Sequence, residues 1–78
     1  MNEATARLLA DNLAASALLT DREAAEFLGM GRSTFWRYVG KGELPQPLNL
    51  GHLTRWRRDE LQAVIDQATA ERDANEAA

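Results

Sequence analysis

The chain has 78 residues, a length that corresponds to one small domain. It contains no cysteine and a single histidine, which excludes a disulfide framework and a metal site built from thiolates or several imidazoles. No apolar run approaches the roughly 20 residues of a membrane helix. The first six residues carry Glu3 and no lysine or arginine, so we expect no signal peptide and a cytoplasmic protein.

The net charge of −3 conceals an uneven distribution of charge along the chain. Residues 32–58 contain six basic residues and one acidic residue, whereas residues 1–31 and 59–78 carry net charges of −3 and −5. Because the local field decides where a polyanion binds, the basic middle keeps nucleic acid among the possible partners.

The first half of the chain predicts two short helices. Residues 1–17 are rich in alanine without a strong apolar face, so we expect a frayed or nascent helix there. The sequence Thr20–Glu23 is a capping box, which predicts a helix over residues 21–28 that Gly29 ends. A second helix is predicted from about residue 32 to residue 39, with Gly40 as its terminator. Two short helices around a tight glycine turn predict a helix-turn-helix.

The second half predicts a small hairpin and a third helix. Residues 48–50 and 53–56 read as two strands joined at Gly51-His52, with Trp56 pointing inward. A helix begins near Arg58, and its apolar stripe ends at Ala68, after which we expect fraying to the end of the chain. The predicted fold is therefore mainly α-helical with a small β-hairpin, a winged helix-turn-helix.

The second helix carries the first group of candidate DNA-binding residues. Phe35 and Val39 share its core face. The candidates on this helix are Arg32, Ser33, Thr34, Trp36 and Arg37, together with Tyr38, which shares the face of Phe35 and Val39. Arginine can bind guanine in the major groove, and hydroxyl groups and first-turn amides suit phosphate oxygens. The alternative is a solvated polar face on which Trp36 merely covers the core.

The hairpin carries the second group of candidate DNA-binding residues. Its basic and polar residues, together with the lysine that follows the second helix, are Lys41, His52, Thr54, Arg55 and Arg57. Arg55 and Arg57 fall on the strand face opposite Trp56. A basic hairpin beside a recognition helix is typical of a wing that binds the DNA backbone or minor groove. The alternative is that Arg57 and Arg58 pair with Asp59 and Glu60.

These segments resemble one known family in their order and spacing. Residues 19–39 resemble the helix-turn-helix of the AlpA and phage excisionase family, and residues 44–51 resemble its linker and first wing strand. Residues 55–61 resemble its second strand and final helix, so the likeness covers about residues 18–66. The resemblance implies a winged helix-turn-helix related to MerR-type DNA-binding domains.

The resemblance also implies a function and partners. A small prophage or mobile-element regulator or excisionase would bind double-stranded DNA in a bacterial cytoplasm and be nucleoid-associated when bound. Because one such domain buries a modest surface on DNA, we also expect binding with a second copy at tandem or paired sites, and an integrase or RNA polymerase as a protein partner. By the same resemblance, Tyr38 offers its hydroxyl to a phosphate and Arg55 binds the backbone.

The chain departs from the family pattern at two places. Gly31 stands where serine is common, which weakens the N-cap of the second helix. His52-Leu53 stands where a basic wing tip is common, so the chain lacks the basic tip that binds the minor groove, and Leu53 is expected in the core or at a protein contact.

Other functions fit the sequence less well. We expect no enzyme, cofactor or metal, because Ser33 and His52 lack a surrounding pocket and Gly29-Met30-Gly31 lacks the residues of a phosphate-binding loop. Two alternatives stay open: a protein-interaction module that uses Trp36 and the arginines, and DNA recruitment like that of terminase small subunits. The expected organisation is an N-terminal segment over residues 1–17, the DNA-binding domain over 18–68 and an acidic tail over 69–78.

Overall fold

The computed structural model describes residues 2–6 and 18–77. The elements of the second range, in chain order, are β1 (Leu18–Leu19), α1 (Asp21–Phe27), α2 (Arg32–Gly40), β2 (Leu48–Leu50), β3 (Leu53–Arg57) and α3 (Arg58–Ala77). Residues 3–6 form a helical turn, and the rest of the frayed helix expected over residues 1–17 lies outside the described residues. The mainly helical architecture with a small antiparallel sheet confirms the predicted fold class.

The capping box at Thr20 starts α1 as the sequence predicts. The Thr20 hydroxyl accepts a hydrogen bond from the Glu23 amide at 3.2 Å, and the Thr20 amide donates to the Glu23 carboxylate at 2.9 Å. The helix ends in a Schellman arrangement, since the amides of Gly29 and Met30 donate back to Glu26 and Ala25. Gly29 has φ of 71°, a conformation that glycine adopts without strain.

The second helix ends one step later than predicted. Gly40 belongs to α2, and the left-handed residue is Gly42 with φ of 78°. The amides of Gly42 and Glu43 donate to the carbonyls of Val39 and Tyr38, which repeats the arrangement at the end of α1. Gly40 was the wrong terminator because two glycines stand close together and the sequence does not show which of them adopts positive φ.

The hairpin is part of a three-stranded antiparallel sheet in which β3 is central. β2 pairs with β3 through the turn at Gly51-His52, and Gly51 has the positive φ that a two-residue hairpin turn needs. On the other side of β3, Leu18 pairs with Arg57 and Leu19 pairs with Trp56. Sequence analysis did not predict β1, because two residues are too few to show an alternating pattern.

The core lies between the two helices, β3 and the start of α3. Its largest fully buried side chains are Trp56, Phe35 and Leu61. The rings of Phe35 and Trp56 meet edge to face with centroids 4.8 Å apart. The Trp56 indole N–H donates to the Pro45 carbonyl at 2.9 Å, which satisfies its polar atom in the core. The inward direction of Trp56 is therefore confirmed.

The third helix continues to Ala77, so the fraying expected after Ala68 is wrong. The described side chains of residues 65–76 are all exposed, so packing does not explain this. Local bonds support the helix instead, including Gln67 to Glu71 at 3.1 Å, and the alanine-rich sequence has high helix propensity. Among the described residues, no helix has the length and apolar character that a membrane span requires.

Candidate nucleic-acid interface

The N-terminus of α2 is open, as the glycine at position 31 predicts. Gly31 is the N-cap residue and supplies no side-chain hydrogen bond to the first turn. A serine there would accept from one of the first-turn amides. The first-turn amides therefore lack a side-chain cap and can donate to an anion, and the exposed Ser33 and half-buried Thr34 lie in the same turn.

Arg32 and Trp36 are brought together by a third residue, Asp21. One carboxylate oxygen of Asp21, Oδ2, accepts from Arg32 Nε at 2.6 Å and from Trp36 Nε1 at 2.9 Å. The indole N–H and then the guanidinium hold the pKa of Asp21 below its ordinary value. Sequence analysis missed this role of Asp21, because nothing local relates the start of α1 to a helix that begins 11 residues later.

Trp36 both packs on the core and remains exposed. It therefore covers the core, as one interpretation of the sequence predicts, and is also accessible for binding, as the other predicts. Its ring lies edge to face against Trp56 with centroids 5.2 Å apart, which covers one side of the core. The side chain nevertheless keeps 40% of its surface in solvent. It therefore presents an apolar surface beside the guanidinium of Arg32.

Two cations lie close to the ring of Tyr38, near the C-terminal end of α2. The Arg37 guanidinium is 5.5 Å from the centre of its ring, and the Lys41 ammonium is 5.8 Å from it. Both distances fall in the range of cation–π attraction. The ring itself is half-buried and packs against the core, while Arg37 and Lys41 are exposed. The tyrosine thus gathers two positive charges on one side of the helix.

The wing residues divide between the two sheet faces. Along β3, Leu53, Arg55 and Arg57 alternate with Thr54 and Trp56, so Thr54 lies on the side of the core tryptophan. Arg55 donates from Nη1 to the Thr54 carbonyl at 2.8 Å and is half-buried.

The positive charge of Arg55 acts on Glu23, in the first turn of α1. The pKa of Glu23 is lowered mainly by its hydrogen bonds with Thr20, to which Arg55 adds a smaller electrostatic contribution. His52 is exposed in the turn and Arg57 on the sheet, so these two side chains are more accessible than Arg55.

Leu53 is not a core residue. It is 46% exposed and pairs with Leu50, which is 49% exposed. The pairing register puts four leucines on one face with Arg55 and Arg57, whereas Leu19 pairs with Trp56 on the core face. We call this the leucine face, and its apolar members are Leu18, Leu48, Leu50 and Leu53. The wing is thus apolar on the face that also carries its arginines.

The alternative in which Arg57 pairs with an acidic residue of α3 receives no support. Within residues 2–6 and 18–77, Arg57 forms no ion pair. Arg58 behaves differently, because its guanidinium lies 5.0 Å from the centre of the Phe27 ring. Arg58 therefore helps to join α3 to α1, whereas Arg57 points its charge to solvent.

The cavity that could hold a small ligand lies away from the candidate DNA-binding residues. A shallow cavity of about 380 Å³ lies between Glu43 and one side of α3, and none of the candidate residues lines it. The part of the chain that the structure describes contains no cluster of three or more metal-ligating side chains.

The fold and the basic surface of α2 define a class of protein, a helix-turn-helix domain with a small wing. The model of the family described as "Helix-turn-helix domain" matches residues 18–69, well over half of the chain. The chain therefore belongs to this family, which supports DNA binding and whose members are typically not enzymes. No curated protein and no solved structure matches the chain.

Proposed function

We propose that the chain is a sequence-specific double-stranded DNA-binding protein, a small transcriptional regulator or excisionase of a prophage or other mobile element. The observation that carries this proposal is the exposed side of α2. Arg32 is held there by Asp21, and Arg37 and Lys41 gather around Tyr38. Two arginines on the second helix of a helix-turn-helix and a lysine at its C-cap give this surface a charge opposite to that of a DNA duplex.

In this proposal α2 enters the major groove with its N-terminal end leading. Arg32 and Arg37 are the base-reading candidates, because an exposed guanidinium can bind guanine O6 and N7. Ser33, Thr34 and the open first-turn amides bind phosphate oxygens. The Tyr38 hydroxyl reaches a phosphate while its ring packs on the core, and Trp36 contacts a sugar or a thymine methyl group.

The wing contributes backbone contacts in the same proposal. Arg57 and His52 are exposed, Arg55 is half-buried on the sheet face of Arg57, and Thr54 is half-buried on the opposite face. The tip residues His52 and Leu53 supply no arginine or lysine to a narrow minor groove, so Arg55 and Arg57 are proposed to bind the phosphate backbone. Lys41 extends the basic surface beyond the end of α2.

The size of the chain and its resemblance to the AlpA and phage excisionase family support the proposed role. We propose that residues 18–68 form the DNA-binding domain, with residues 1–17 and the acidic residues 69–78 as flanking segments. One such domain buries a modest surface on DNA, so binding at tandem or paired sites with a second copy would raise the affinity. An integrase or RNA polymerase is the proposed protein partner in the bacterial cytoplasm.

A second candidate function is a protein-interaction module centred on Trp36. This residue is 40% exposed beside Arg32, and tryptophan and arginine are enriched at binding hot spots. An acidic protein surface would suit it. Binding to such a partner without any binding to DNA would favour this function over the first.

Selection of bound sequences from a random duplex library, at two salt concentrations, tests the proposal. We expect a short enriched motif and retention that decreases steeply with salt. Salt-sensitive retention without a motif would show a non-specific architectural protein and contradict direct base reading. No retention even at low salt would refute DNA binding and turn attention to the Trp36 surface.

A further inference from the structure

Asp21 is an acidic residue in direct contact with the proposed DNA-binding surface. We propose that Asp21 is a positioning residue for DNA recognition, whose carboxylate fixes Arg32 and Trp36 in one arrangement in the free protein. This inference rests on the proposed function. It assigns to the start of α1 a part in DNA recognition that neither the family match nor the sequence pattern indicates.

The geometry holds the carboxylate at both of its oxygens. Oδ2 accepts from Arg32 Nε at 2.6 Å and from Trp36 Nε1 at 2.9 Å, while Oδ1 accepts from the Arg22 amide at 2.8 Å. Arg32 and Trp36 are four residues apart, so their side chains lie on the same side of α2. A single oxygen can therefore hold both of them, and the backbone bond prevents that oxygen from turning away.

The contact leaves the recognition groups of Arg32 available. Asp21 engages the Nε edge of the guanidinium, and the two terminal amino groups make no hydrogen bond to other described residues. The Arg32 side chain is 60% exposed, whereas that of Asp21 is 21% exposed. DNA would therefore meet the guanidinium before the carboxylate. An arginine already held in place loses less conformational freedom when it binds a base or phosphate.

The same contact restricts the ring of Trp36. Its indole N–H is held by Asp21, and its edge packs on Trp56 at a centroid distance of 5.2 Å. These two constraints, at different parts of the ring, define the direction of the exposed 40% of the side chain. An oriented aromatic surface beside an oriented guanidinium is a preformed recognition pair.

Charge alone predicts the opposite effect of Asp21 on DNA binding. A carboxylate near a polyanion is repulsive, so its neutralisation should strengthen binding to any duplex. A positioning role predicts that neutralisation weakens binding to the specific site and spares non-specific binding. The sign of the change therefore distinguishes the two.

The test compares Asp21→Asn with Glu26→Gln. Both substitutions remove one negative charge from α1, and the Glu26 side chain is exposed without a hydrogen bond or ion pair to the described residues. Affinity is measured by fluorescence anisotropy on the duplex enriched by selection and on a scrambled duplex. We expect Asp21→Asn to weaken binding to the enriched duplex by about tenfold. We expect Glu26→Gln to leave that binding unchanged or to strengthen it slightly.

A double-mutant cycle shows whether Asp21 acts through Arg32. If it does, Asp21→Asn has a smaller effect on affinity in an Arg32→Ala background than in the wild-type chain. Equal effects in the two backgrounds would exclude Arg32 as the residue that transmits the role of Asp21.

A measurement on the free protein separates positioning from misfolding. In ¹⁵N–¹H spectra, Asp21→Asn should shift the Trp36 indole and Arg32 Nε signals and speed their exchange with water. The Trp56 indole, bonded to the Pro45 carbonyl, should keep its signal and so report an intact fold. Trp36 and Arg32 signals that do not respond to Asp21→Asn would contradict the contact.

Failure of this inference is distinguishable from failure of the proposed function. If the wild-type chain binds its enriched duplex and both variants bind it equally well, the positioning role is overturned and DNA binding stands. If the wild-type chain retains no duplex, the proposed function is refuted and the role of Asp21 is refuted with it.

Discussion

Replacement of Trp56 by alanine tests the core on which the proposed DNA-binding surface is built. The side chain is 1% exposed, and Trp→Ala in a core costs about 3–5 kcal/mol. That cost includes the edge-to-face contact with Phe35 at 4.8 Å, a type of contact worth about 0.5–1.5 kcal/mol. The substitution also leaves the Pro45 carbonyl without its donor. Since the free energy of unfolding of a small domain is about 5 kcal/mol, we expect Trp56→Ala to be largely unfolded.

The matched control is Trp36→Ala, which removes the same side chain from a neighbouring position. Because Trp36 is 40% exposed, its loss should cost about 1–2 kcal/mol. Urea and thermal unfolding followed by far-ultraviolet circular dichroism measure both variants without relying on tryptophan fluorescence. If Trp56→Ala melts like the wild-type chain, or costs no more than Trp36→Ala, the strand register that turns Trp56 inward is wrong.

Three further predictions follow from local features of the structure. Gly31→Ser should stabilise the domain by about 0.5–1 kcal/mol in thermal melts, because the new Cβ meets open space at φ of −73° and the hydroxyl caps α2; a lower melting temperature would contradict this. The pKa values of Asp21 and Glu23 lie below their ordinary 3.8 and 4.5. The stability that these two carboxylates add to the folded protein is therefore present above about pH 4.5, and it is lost as the pH falls through their lowered pKa values. Melts of Glu23→Gln should therefore depend less on pH in this acidic range than those of the wild-type chain, and equal dependence would exclude the capping carboxylate as a cause. Arg37→Ala should weaken specific DNA binding by about 1–3 kcal/mol and relax one base position, whereas the matched Arg72→Ala, far along the exposed part of α3, should not.

Features encoded by neighbouring residues could be predicted from the sequence. The capping box at Thr20 and the left-handed Gly29 are signals within a few positions, and both are present in the structure. The direction of Phe35 and Trp56 follows from helical and strand periodicity, which the core confirms. These features depend on short-range sterics and hydrogen bonding, so one sequence suffices to show them.

Features that depend on distant residues could not be predicted. The strand β1 forms because Leu18 and Leu19 pair with β3, whereas their own sequence is equally compatible with a loop. Asp21 was predicted only as part of a helix start, whereas its carboxylate reaches Trp36, 15 positions later. The exposure of Leu53 depends on the sheet having no layer over that face among the described residues.

The negative net charge is compatible with DNA binding because several acidic residues of α3 lie well beyond the buried start of that helix. A helix rises about 1.5 Å per residue, so Glu71 lies about 15 Å and Glu76 about 22 Å beyond the buried Leu61 along the axis. Physiological salt screens exposed charges beyond about 8 Å. The last acidic residues of α3 therefore add to the net charge while salt screens them from the part of the fold that surrounds Leu61. The segment that supplies the candidate DNA contacts, residues 32–58, has a net charge of +5.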